Sequence, residues 1–161
     1  LPICFGFSIE TILMFVIAMI LLAITMIDFD TMIIPDGLNI AMFIVSIVLM
    51  YVRHMSLLES IIGMFCISVP MILLNVLIAE SFGGGDIKLM FVSGIALGWK
   101  YSLLAAFIGI LLAGSYSIYL LVSKKINKKG HIAFGPYLSI GIFIALSYGS
   151  EIISWYLNLM M

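Results

Sequence analysis

Charged residues divide this chain into long uncharged runs. Thr11–Ile27, Gly37–Val52, Ser60–Ala79, Leu89–Trp99, Tyr101–Ser123 and His131–Ser150 each predict a helix. About 20 apolar residues, rising 1.5 Å each, cross roughly 30 Å of hydrocarbon. Ser8, ahead of Glu10 and Thr11, is placed to cap the first helix. Pro70 falls inside the third, where a membrane helix tolerates it with a kink. The fourth run is short, and Lys100 separates it from the fifth. The tail from Ile152 to Met161 is too short to cross and carries Trp155 and Tyr156, an interfacial pairing. No internal repeat or low-complexity tract interrupts the pattern. The predicted fold class is all-α: a polytopic membrane protein of about six transmembrane helices without β-sheet, one domain over residues 1–161.

Composition agrees. Hydrophobic residues make up 65% of the chain and charged residues 9%, with a mean hydropathy of +1.33. Soluble domains carry roughly 25% charged residues. A water-soluble enzyme, a nucleic-acid binder and a disordered linker are excluded, and the lipid bilayer is the expected surrounding. Seven basic and eight acidic residues leave a net charge of −1, so no polyanion, nucleic acid included, is implied as a partner. Cys4 and Cys66 form neither a disulfide framework nor a zinc knuckle. The chain opens Leu-Pro-Ile without a Met, which reads as a start truncated or processed upstream, and shows no signal peptide.

Six crossings would put the turns at 28–36, 80–88 and 124–130 on one face, and those at 53–59 and 99–101 on the other. The first face holds Lys88, Lys124, Lys125, Lys128 and Lys129; the second holds Arg53 and Lys100. By the positive-inside bias the first face is cytoplasmic, giving a multi-pass protein of the cell membrane.

All four aspartates fall on that face: Asp28, Asp30, Asp36 and Asp86. Glu10, Glu59 and Glu151 read as solvated helix ends, while Glu80 is near enough to Asp86 to be a lesser site candidate. Asp86 ends the run Phe82-Gly83-Gly84-Gly85-Asp86, whose glycines free the backbone for unusual φ/ψ and close approach by another chain. The helix that follows, Ile87 to Trp99, is roughly 20 Å long. Asp86 is therefore expected at or below the membrane surface, where a carboxylate is costly and a functional candidate. Asp28 opens Asp28-Phe29-Asp30-Thr31-Met32-Ile33-Ile34-Pro35-Asp36. A polar helix end with a Pro-Asp turn explains that stretch equally well. A calcium loop fits poorly, because Met32 and Ile33 occupy ligand and turn positions.

Two carboxylates held together share one proton across neutral pH. One then acts as base on a water while the other polarises a peptide carbonyl. Other protease chemistries lack their residues: no H-E-x-x-H is present, His54 and His131 lie at span ends on opposite faces, and Cys66 reads as packing.

The motifs Gly83-x-Gly85-Asp86-Ile87-Lys88-Leu89, Asp28 with Pro35 and Asp36 downstream, and Phe134-Gly135-Pro136 occur in the order found in the type IV prepilin peptidases. The chain resembles those GxGD-type membrane aspartic endopeptidases from about Phe5 to Leu146. The resemblance implies that Asp28 and Asp86 are the catalytic pair. Asp30 and Asp36 would be auxiliary, and Gly83, Gly84, Gly85, Pro35 and Lys88 would shape the loop or meet substrate. It implies no cofactor and no metal. Its substrates are prepilins or pseudopilins, cut on the cytoplasmic side between a short basic leader and a hydrophobic helix, typically after a glycine. Many bacterial members carry paired C-x-x-C motifs linked to N-methylation; none occurs here, so methyltransferase activity is not expected of this chain as it stands. A presenilin-like protease shares GxGD but not the Asp28-to-Pro35 spacing. A proton- or cation-coupled transporter would also use intramembrane carboxylates, but the spans offer little beyond Asn75 and scattered Ser/Thr as a path across.

Overall fold

The computed structural model describes residues 8–78, 82–123 and 133–160. Among them are five helices and no strand: α1 (Ile9–Thr31), α2 (Asp36–Val52), α3 (Leu57–Leu77), α4 (Gly84–Val122) and α5 (Gly135–Met160). All but α2 are long and apolar enough to cross a membrane; α2, Asp36–Val52, is a shorter apolar helix. The chain is an all-helical, multi-pass membrane protein.

On α1 the buried residues Thr11, Met14, Ile17, Leu21, Ile24 and Asp28 recur every three or four positions, which places them on one face. Ile12, Phe15, Met19, Leu22 and Met26 point outward and are exposed, a surface suited to lipid. Asp28 thus takes the next place in the core-facing stripe. Ser8 caps the helix, with the Thr11 N–H donating to Ser8 Oγ at 3.2 Å. Met32, at φ 53°, ends it in the left-handed region, and Pro35 then stands as the N-cap of α2.

α4 lies at the centre, packing on α2, α3 and α5, while α1 packs on α2 and α5. Its 39 residues would measure roughly 58 Å if straight, about twice the hydrocarbon thickness. It is not straight. At Gly98 the backbone takes φ 66° and ψ 177°, a conformation that residues with a Cβ avoid. The sequence pattern separates two spans around Lys100; the backbone breaks just before, at Gly98. Ahead of the break α4 packs on α3. Gly63 and Gly94 meet so closely there that a Cβ on either would strike the other's backbone, and Ser60 Oγ donates to the Ile95 carbonyl at 3.0 Å. Beyond the break it packs on α5, with Gly141 against the Ala105 carbonyl.

α5 departs from expectation. It continues through the supposed interfacial tail to Met160 rather than stopping near Ser150. Ser150 and Glu151 bond to each other through their side chains at 2.9 Å, which leaves the backbone ladder intact. No glycine or proline follows to break it. The expected start of this span at His131 lies outside the described residues.

At the end remote from the aspartates, Arg53 Nε donates to Glu10 Oε1 at 2.7 Å, and the same guanidinium reaches the Leu146 carbonyl at 3.5 Å. Glu10 is therefore more than a solvated helix end: it helps tie α1, α2 and α5 together. Glu59 and Glu151 are exposed, as expected.

Candidate active site

Four helix ends converge around the aspartates, the end of α1 and the starts of α2, α4 and α5. Asp28 comes from the last turn of α1 and is 4% exposed; Asp86 comes from the first turn of α4 and is 6% exposed. Both open on one cavity of about 370 Å³, lined also by Ile33, Ile34, Pro35, Asp36, Gly83, Gly84, Gly85 and Lys88. Residues far apart in sequence thus line one cavity.

Each carboxylate has a distinct setting. Asp28 Oδ2 accepts a hydrogen bond from the Gly135 N–H at 3.1 Å, at the N-terminus of α5, where free backbone donors favour an anion. A Cβ on Gly135 would lie 2.7 Å from that oxygen, so any side chain there would displace the Asp28 carboxylate from this contact. Asp86 stands three residues after the N-cap Gly83, and its Oδ2 turns back toward that residue, 3.0 Å from where a Gly83 Cβ would lie. Its other oxygen, Oδ1, is buried without a hydrogen-bond partner. A buried carboxylate oxygen without a partner calls for a proton or a substrate group to complete it.

The glycines show close approach but not the unusual φ/ψ expected of them. Gly83 has φ −64° and ψ 142°, while Gly84 and Gly85 are already helical; none adopts a conformation reserved for glycine. What they supply is room. A Cβ on Gly85 would sit 2.8 Å from Ile34 Cβ, and one on Gly83 would sit 3.0 Å from Asp86 Oδ2, whereas Gly84 faces open space. Ile34, 5% exposed, is wedged in the connector between α1 and α2 with its tip also against Gly135. It sets that connector against the starts of α4 and α5, which carry Asp86 and the N–H that donates to Asp28.

Asp36 and Lys88 form an exposed ion pair at 2.7 Å on the rim of the cavity. An exposed pair contributes little stability, about 0–1 kcal/mol. Pro35 is half-buried beside it. Asp30 is exposed and does not line the cavity. Glu80 lies outside the described residues. Among the described residues, no group of three or more His, Cys, Asp or Glu side chains is gathered to hold a metal ion.

Sequence reasoning gives Asn75 no part in the site. Its carboxamide donates to the Phe82 carbonyl at 2.8 Å and accepts from the Phe82 N–H at 2.7 Å, fixing the residue before Gly83 onto α3. The ring of Phe82 in turn meets Phe134 at 5.3 Å, beside Gly135. Asn75 and Gly135 therefore position Asp86 and Asp28 from outside the cavity. Gly135→Ala is expected to lower activity at least a hundredfold while Asn75→Leu lowers it about tenfold, since the first drives a carbon into Asp28 and the second removes two hydrogen bonds. Rates measured on equal amounts of folded protein check both.

The site is thus a pair of buried aspartates at membrane helix ends, brought to one cavity by a glycine-lined turn. Residues 15–118 match the type IV leader peptidase family, and the chain belongs to that family. It is 30% identical over 147 residues to a prepilin leader peptidase/N-methyltransferase of Aeromonas hydrophila, covering 86% of this chain and 50% of that protein. The Bacillus subtilis (strain 168) protein of the same description is 30% identical over 159 residues, covering 96% of this chain and 63% of its own length. That of Legionella pneumophila is 30% identical over 168 residues, covering 96% and 56%. The chain thus spans between half and two thirds of the length of these relatives. No solved structure matches it.

Proposed function

We propose that this chain is a membrane aspartic endopeptidase that removes the short leader of prepilin-like proteins, with Asp28 and Asp86 as the dyad. The observation that carries this reading is the opening of both buried aspartates on one cavity, in a chain of the type IV leader peptidase family. One carboxylate takes a proton from a water whose oxygen attacks the scissile carbonyl carbon; the other, protonated, gives its proton to the carbonyl oxygen. The tetrahedral diol then collapses, the C–N bond breaks, and the leaving nitrogen takes a proton as the dyad returns to its starting state. Neither aspartate suffices alone. Asp36 and Lys88 meet the substrate at the rim, Gly83, Gly84 and Gly85 shape the wall beside Asp86, Pro35 sets the turn opposite, and Asp30 is auxiliary. The N-methyltransferase part of the relatives' description is not carried over to these residues.

The finer topology belongs to the same proposal. The chain crosses the cell membrane six times, with the Gly98 break as the far-side turn between the fourth and fifth crossings, and the aspartates face the cytoplasm. Membrane-impermeant thiol reagent should fail to label Asn127→Cys in intact cells and succeed after lysis, in a background without Cys4 and Cys66. Efficient labelling of intact cells would invert the orientation.

The direct test of function is co-expression with a prepilin of basic leader, glycine and apolar helix. The mature amino terminus should appear, read by N-terminal sequencing, only when the chain is present. A prepilin that keeps its leader beside folded, membrane-inserted protein would refute the endopeptidase reading.

A further inference from the structure

α2 and α3 follow one another in the chain, yet both pack on α4 rather than extensively on each other. Between them lies a groove of about 550 Å³, floored by Ile87, Phe91 and Val92 of α4 and walled by Ile40, Val69 and Ile72. It is almost wholly apolar, with polar features in two places. At one end stands the Asp36–Lys88 ion pair; because both residues also line the Asp28–Asp86 cavity, groove and cavity share a wall. One turn along α2 stands Asn39, 5% exposed, with neither its amide oxygen nor its amide nitrogen hydrogen-bonded. Ser68, across the groove on α3 and 2% exposed, has an unpartnered Oγ as well.

A buried polar group without a partner costs about 1–3 kcal/mol. Such a group is explained when a ligand completes it. The occupant must be apolar along most of its length and must offer a donor and an acceptor side by side. A lipid acyl chain offers neither. The interior of an intact helix has spent its N–H and C=O groups on itself. An extended polypeptide leaves both free at each residue. The Asn75 carboxamide already makes this two-way bond inside the protein, with the N–H and C=O of the single residue Phe82.

We propose that the groove between α2 and α3 receives the apolar stretch of the substrate just beyond the scissile bond, unwound there, with the Asn39 carboxamide pairing to the N–H and C=O of one of its residues. This rests on the endopeptidase reading and adds which wall takes the apolar side and in what conformation. Asn39 stands three residues along α2 from Asp36, about 4.5 Å of helix. An extended chain covers that in one or two residues, so the paired residue falls within the first few after the cut. Unwinding also exposes the scissile carbonyl, which an intact helix would keep hydrogen-bonded.

The test uses the full chain in proteoliposomes and a synthetic peptide of basic leader, glycine and about 20 apolar residues. Asn39→Leu, close in volume but unable to hydrogen-bond, should lower kcat/KM about tenfold. N-methylating the peptide's first six apolar residues one at a time should reveal one position where the unsubstituted protein loses a similar factor and Asn39→Leu loses nothing more. Full activity in Asn39→Leu, or additive losses at every N-methyl position, would overturn the proposal. A second arm does not depend on turnover or on Asn39→Leu folding. A photo-crosslinking residue at Ile72, in the Asp86→Asn protein, should capture the peptide's apolar stretch. Capture of phospholipid alone, or equal capture from Ile140 on the exposed face of α5, would overturn it. If the unsubstituted protein cleaves nothing, the endopeptidase reading fails, and the crosslink still decides the groove.

Discussion

Asp28→Asn and Asp86→Asn should each reduce leader removal at least a thousandfold, and the double substitution should cost little more. Asn keeps the shape of the side chain but can neither take a proton from water nor give one to a carbonyl, so either change removes half of a transfer that needs both. Residues that act as one unit lose their effect together, which makes the deficits non-additive. Burial sharpens the contrast. Asp28 and Asp86 are 4% and 6% exposed, so solvent offers little substitute for the missing group. Asp30, two residues along α1 and exposed, is the internal control: Asp30→Asn should stay within a few-fold of the unsubstituted protein. The measurement is the initial rate of leader removal per amount of folded protein. Activity surviving in Asp28→Asn but lost in Asp30→Asn would move the role two residues along the chain.

How far the sequence reveals this site follows from the range of each interaction. The cap at Ser8 and the turn at Pro35 arise within a few residues, and local pattern exposes them; the core stripe of α1 does not show, because its outward face is as apolar as its buried one. Asp28 and Asp86 are legible because an acidic residue inside an apolar stretch is conspicuous and because the surrounding motifs resemble a known family. The Gly135 N–H at Asp28 spans 107 residues, and nothing in the periodicity of either helix announces it. Its only sequence signal is the motif Phe134-Gly135-Pro136, which does not say what the glycine touches. Asn75 reads as a lone polar residue in a span until the fold folds Phe82 back onto it. The turn before the fifth span is legible at 99–101, but its place at Gly98 is not. Lys100 marks the neighbourhood, but the apolar residues around it give no helical face to lose, and only the backbone shows where the chain bends. The end of α5 does not show in the sequence because a charge bounds the uncharged run at Ser150, while a helix stops only where its hydrogen bonds do.

The glycines beside Asp86 separate two physical ideas, flexibility and room. If the turn must be loose to swing Asp86 toward Asp28 as substrate docks, a β-branched residue at either Gly84 or Gly85 should stiffen it and abolish activity. If the glycines are there for space, the two positions should behave differently. A Cβ at Gly84 meets nothing within 4 Å, whereas one at Gly85 would press on Ile34 at 2.8 Å and lift the α1–α2 connector from both aspartates. Both residues are helical, and Val is tolerated in the first turn of a helix at a small propensity cost. Gly85→Val is therefore expected to lose at least a hundredfold in activity and Gly84→Val less than about threefold, in equal amounts of membrane-inserted protein. Gly141→Val is unsuitable as a packing control, because a Cβ there would strike the Ala105 carbonyl and separate α5 from α4. Gly114, with nothing within 4 Å, serves instead. Ile34→Ala should restore part of the activity in Gly85→Val by clearing the obstructed volume, and a flexibility requirement predicts no such rescue. Equal loss at Gly84 and Gly85, unrelieved by Ile34→Ala, would mean that the turn moves during catalysis and that room is not what these glycines provide.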